Sequence, residues 1–127
     1  MNVKFNLDLE HFDNETGETK AETIEVTMQE ASPFIVGDIF TSNSVAGGGY
    51  KVGSIVKEMM GVVIVSPKNL ITKIEESDNP FVAMQKVFTE VNQFSNNPKK
   101  YVFLQAKSKA ESEDLEHGNT ESDANGS

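Results

Sequence analysis

Cysteine and arginine are both missing from this chain of 127 residues. Without thiols there is no disulfide and no thiolate metal site, and a reducing compartment suits the composition. Without arginine, the forked donor that reads guanine and grips phosphate is missing, and all 11 basic residues are lysines. Acidic residues number 20, giving a formal net charge of −9. That mean field repels a polyanion, so nucleic-acid binding is not expected. Histidine is scarce: His11 falls in a polar connection and His117 in the acidic C-terminal stretch. Neither has a positioned partner in the sequence, so no metal centre and no acid–base centre is expected. No apolar run approaches the ~18–20 residues of a membrane span. The opening residues, Met1 to Asp8, alternate apolar and polar, unlike a signal peptide or a lipidation site. The expectation is a soluble protein of the cytoplasm, with no membrane partner. Its length suits one domain and a tail, with roughly two-thirds of the surface buried on folding.

What is present is periodic apolar spacing. From Lys51 to Val65, apolar residues fall at Val52, Ile55, Val56, Met59, Met60 and Val63, with Lys57 and Glu58 off that line. This spacing of three and four predicts a central helix over 51–65. The β-branched run Val62–Val65 after Gly61 leaves a strand open there. Upstream, Val3, Phe5, Leu7 and Leu9 alternate with polar residues, as do Ile24, Val26 and Met28. Period two on both sides of a polar connection predicts a β-hairpin with one face on helices. Ser32-Pro33, Ser66-Pro67 and Asn79-Pro80 each read as an N-cap followed by proline in the first turn. The first opens a short helix to about Thr41 presenting Phe34, Ile35, Ile39 and Phe40. The second opens a helix with Leu70, Ile71 and Ile74 inward. The third opens the cleanest amphipathic stretch, with Phe81, Met84, Val87, Phe88, Val91 and Phe94 on one side. Asn96-Asn97-Pro98 stops it, and Tyr101–Leu104 is an apolar patch open to strand or helix. The expected fold is α+β: an N-terminal hairpin on a bundle of about four helices. Residues 1–104 form a single domain and 105–127 a disordered acidic tail, its composition most polar from Ser108 onward.

Several segments resemble chemical motifs without completing them. Gly47-Gly48-Gly49-Tyr50-Lys51 is glycine-rich, but a phosphate loop needs a preceding strand and lysine directly after its last glycine. A flexible linker over Thr41–Gly49 is the simpler reading. Asp13, Glu15 and Glu18 around Gly17 hint at a calcium loop, yet such loops join helices and these neighbours are strands. Asp38 and Glu58 lie beside apolar faces and could pair, a solvated edge being the simpler reading. The Phe residues at helical spacing read first as core. Methionines 28, 59, 60 and 84 also suit adaptable protein recognition, which makes a protein-binding module the leading class. The candidate contact residues are Phe34, Phe40, Met59, Met60, Phe81, Met84 and Phe88. No enzyme activity and no cofactor is expected.

The order of elements carries a resemblance. A hairpin precedes Ser32-Pro33-Phe34-Ile35; a long helix ends in Met59-Met60-Gly61-Val62-Val63-Ile64-Val65-Ser66-Pro67; a closing helix finishes in Val91-Asn92-Gln93-Phe94 before an acidic tail. Over residues 2–98 this layout resembles the tail assembly chaperones of long-tailed phages infecting Gram-positive bacteria. The resemblance implies a non-enzymatic helper in the host cytoplasm that binds the tape-measure protein and tail-tube subunits, self-associates, and is absent from the finished virion. It brings no catalytic residues. Its apolar grooves are expected along the edges of the Pro33–Thr41 and Phe81–Phe94 helices. A structural phage component, such as a head–tail connector or tail completion protein, is the alternative. A small-molecule regulator using the Gly47–Gly49 loop, with Tyr50 and Lys51 in its pocket, is a third.

Overall fold

In the computed structural model the backbone is described for residues 1–125 and the side chains for residues 1–111. The fold is α+β. Strands β1 (Asn2–Phe12) and β2 (Thr19–Gln29) form the hairpin, followed by helices α1 (Pro33–Ser42) and α2 (Val52–Met59). Strand β3 (Ile64–Ser66) and helices α3 (Leu70–Glu76), α4 (Pro80–Asn96) and α5 (Pro98–Asn125) complete the chain. The sheet is antiparallel in the order β1-β2-β3. Among the described residues, no helix is long and apolar enough to cross a membrane.

Alternation decides which way the hairpin faces. Val3, Phe5, Leu7 and Leu9 are buried, with Val26 and Met28 opposite Phe5 and Val3. Burying each such side chain contributes about 1.5–3 kcal/mol before entropy is counted. The even residues Asn2 to Glu10 face water, where Lys4 pairs with Glu25 at 3.1 Å and Thr23 Oγ1 donates to Asp8 at 2.7 Å. One continuous core joins the inner sheet face to Ile55, Val56, Met59, Leu70, Ile74, Val87 and Phe94 from the helices.

The central helix is shorter than its apolar spacing predicts. It ends at Met59, where Met60 (φ −63°, ψ 124°) and Gly61 (φ +82°) make a type II turn closed by Val62 N–H on the Met59 carbonyl at 3.0 Å. Glycine tolerates the positive φ that the second central position of this turn demands. The β-branched residues beyond are thereby released to β3, against Thr27 and Met28 of β2. The strand left open by the sequence is the right choice, moved to Ile64–Ser66. Ser66-Pro67, joined by a cis peptide bond, does not start a helix; it ends β3, and α3 begins after Asn69, whose side chain makes no cap bond.

Asn79-Pro80 does begin α4, but the Asn79 side chain makes no cap bond. Its amide instead bridges the exposed margin of β1, accepting from Glu10 N–H at 2.9 Å and donating to the Asp8 carbonyl at 3.1 Å. Asp78 continues the pattern: its N–H donates to the Glu10 carbonyl and its carboxylate accepts from Phe12 N–H. The two residues stand in for a neighbouring strand over Asp8–Phe12. Asn97 ends α4 and caps α5, accepting from Lys100 N–H at 3.1 Å. The Tyr101–Leu104 patch is therefore helical, and residues 105–111 of the expected tail belong to the same helix. The remainder of that tail expectation, 112–127, lies outside the residues with described side chains.

Candidate protein-binding surface

Helix α4 carries two apolar lines. Ala83, Val87, Val91 and Phe94 are buried and point at the core. Phe81, Met84 and Phe88 run along one shoulder of that line, only partly covered, and Phe81 is 67% exposed. The spacing from 81 to 94 does not separate core from shoulder, because both lines repeat every three or four residues.

The first half of the shoulder borders a groove between α2, α3 and α4 of about 530 Å³. Val56, Ile71 and Ile74 form its apolar walls, Phe81 and Met84 one rim, and Lys57 and Glu75 stand at its sides. Gly53 of α2 faces Met84 of α4, and a Cβ there would meet Met84 Sδ at 3.5 Å, an ordinary contact. The second half of the shoulder is closed by aromatic rings. Phe40 and Tyr50 pack edge-on at 5.4 Å between centroids, and both approach Phe88 at 6.2 Å.

Asn43 holds the α1–α2 connection in place. Its buried side-chain amide donates to the Ile39 carbonyl at 2.8 Å and to Glu58 Oε2 at 2.7 Å, while its backbone carbonyl accepts from Lys51 N–H at 2.7 Å. Thr41–Gly49 is thus an organised turn, with Val45 N–H bonded to the Gly49 carbonyl. Tyr50 is committed to the aromatic cluster and the Lys51 amide to Asn43. Asp13 of the suggested calcium loop closes the hairpin instead, its carboxylate accepting from Glu15 N–H at 2.8 Å.

Two further apolar pairs face outward. Phe34 (83% exposed) and Ile35 lie on α1, which buries Val36 instead. Phe103 (64%) and Leu104 (48%) lie on α5. The opposite side of α5 is anchored: Tyr101 packs on Phe94 and donates to Glu90 at 2.7 Å, and Gln105 donates to the Lys4 carbonyl. Burial, and then the bond to Glu90, holds the Tyr101 hydroxyl far above its ordinary range. At the hairpin's far end, Glu22 accepts from His11 at 2.9 Å and Lys73 at 3.1 Å, which together lower its pKa, the His11 bond most.

Of the seven candidate contact residues, Phe81 and Met84 meet at the groove, and Phe40 and Phe88 meet beside it. Phe34 stands alone on the outer side of α1. Met60 is half-buried in the turn after α2, and Met59 is fully buried core, so it offers no surface for a partner. Ile71 and Ile74 of the groove read from the sequence only as inward-facing, Tyr50 only as lining for a ligand loop and Phe103 and Leu104 only as part of an apolar patch, while Gly53 carries no sequence signal. For α5 the signal was there: an apolar patch directly after an Asn-Pro helix start. No protein-family model, no curated protein and no solved structure matches this chain.

Proposed function

We propose that this protein is a non-enzymatic assembly chaperone for the tail of a long-tailed phage, acting in the host cytoplasm. It holds helical segments of the tape-measure protein, and tail-tube subunits, until assembly removes them. The observation that carries the reading is the α2–α3–α4 groove with exposed Phe81 at its rim. A groove of this kind accepts an amphipathic helix through apolar anchors one and two turns apart. Phe34 and Ile35 on α1 add a second apolar contact. The layout resemblance over residues 2–98 supplies the phage context.

The test is binding of labelled helical segments of the tape-measure protein encoded beside this gene, followed by fluorescence anisotropy. The wild-type chain should bind, and Phe81→Asp should weaken binding at least tenfold while leaving the far-UV circular dichroism unchanged. No binding to any segment, or recovery of the chain as a stoichiometric part of purified particles, would overturn the chaperone reading.

A further inference from the structure

We propose that the outer edge of β2, from Ala21 to Glu25, is a strand-addition site for an extended, lysine- or arginine-bearing segment of another protein. This goes beyond the chaperone reading and does not depend on it.

The two edges of the sheet are finished differently. Gln29 N–H donates to the Val63 carbonyl at 2.8 Å, on the side of β2 away from β1. The β1–β2 register is unbroken, so every second residue back along β2 aims its N–H and C=O the same way: Thr27, Glu25, Thr23 and Ala21. The opposite edge has the matching parity, since Lys4, Asp8, Glu10 and Phe12 turn theirs away from β2, toward Gln105, Asn79 and Asp78. Strand β3 accompanies β2 only at Thr27 and Met28. Among the described residues, nothing bonds the outward backbone groups of Ala21, Thr23 or Glu25, and all three residues are exposed. A row of open N–H and C=O groups is matched by one kind of occupant, another extended backbone.

The neighbouring side chains say which segment fits. An added strand lays alternate residues along the two faces of the sheet. Toward the helices it meets Ile24, half-buried against the core, and Glu22, already engaged by His11 and Lys73. An apolar residue belongs there. Toward water it meets Thr23 and Glu25, on a face where Asp8, Glu10 and Glu25 outnumber Lys4. The Lys4–Glu25 pair is itself exposed, so it holds Glu25 only weakly. At the turn, Asp13, Glu15 and Glu18 stand against Lys20. A cation at the outward positions of the added strand complements this field. A second copy of this chain would bring a net charge of −9 to the same edge and be repelled.

The probe is a fluorescent peptide of alternating valine and lysine, roughly six residues long like an ordinary strand. The full-length chain should bind it in anisotropy titrations, and saturating peptide should slow amide exchange at Ala21, Thr23 and Glu25 at least tenfold. The same peptide with glutamate for lysine, or with N-methyl groups on its edge-facing amides, should bind at least tenfold more weakly. Thr23→Pro should keep the circular dichroism and lose binding, because the Thr23 N–H points away from β1 and a proline is tolerated there. Glu25→Lys, which keeps the backbone intact, should weaken the lysine peptide and favour the glutamate one. Phe81→Asp should leave peptide binding unchanged, so failure at the edge and failure of the groove reading are told apart. Lack of binding, equal binding of the lysine and glutamate peptides, or binding that survives N-methylation would overturn the proposal. So would a free chain that is dimeric and becomes monomeric on Thr23→Pro, which would put a second copy at the edge.

Discussion

Single residues with tightly defined partners set the local stability of this protein. Asn43 is the strongest case, because one buried amide satisfies both the end of α1 and the Glu58 carboxylate of α2. Asn43→Ala removes bonds that include one to a charged group, and should cost about 2–3 kcal/mol in urea unfolding. Glu22 is the pH-sensitive case. Its pKa lies below the ordinary 4.5, so its contribution is present above that value and is lost as pH falls through the lowered one. Glu22→Gln should therefore flatten the stability profile on the acid side of about pH 4.5, as read by urea unfolding at a series of pH values. The size of that effect is limited by solvent, since the cluster is exposed. Neither role was legible in the sequence. Asn43 reads as one polar residue in a small-residue loop, and Glu22, His11 and Lys73 come from three separate elements that only the fold brings together.

At the scale of elements, periodicity found the pieces and misjudged some of their ends. The hairpin, α1 and α4 follow their patterns because alternation and three-and-four spacing translate directly into a buried face. The 51–65 stretch failed because its apolar residues satisfy two periods, and Gly61 decides between them by permitting the turn. Proline starts were similarly ambiguous: Pro33 and Pro80 open helices, whereas Pro67 ends a strand. Within α4, spacing could not tell the core line from the shoulder line that borders the candidate groove. Substitution separates them. Phe94→Ala should cost about 3–5 kcal/mol by opening a cavity in the core. Phe81→Ala should change stability by no more than about 0.5 kcal/mol, as an exposed position does. Thermal melts of the two variants side by side would check both, and equal losses would show that Phe81 is core.

For the whole molecule, one core is shared by a hairpin with a wet outer face and helices stacked on the other. The four most exposed large apolar side chains among the described residues, Phe34, Phe81, Val82 and Phe103, all lie on helices. A net charge of −9 gives copies of this chain a long-range mutual repulsion. The fold should survive loss of the acidic C-terminal stretch, since the described anchors of α5 end at Gln105. Truncation after Lys107 should preserve amide-exchange protection in β1, β2 and α4, whereas truncation after Asn97 should lower it by removing Tyr101 from Phe94. Measured exchange rates for the two fragments decide this.

The side-chain brace along β1 limits strand addition at this edge of the sheet. Asp78 and Asn79 occupy the strand's outer rim over Asp8–Phe12, and Gln105 takes the Lys4 carbonyl, leaving Asn6 between them. What stays open along the rim is short and interrupted, a poor foothold for a foreign strand. Fibril growth at that rim is thereby disfavoured, even when the protein is crowded.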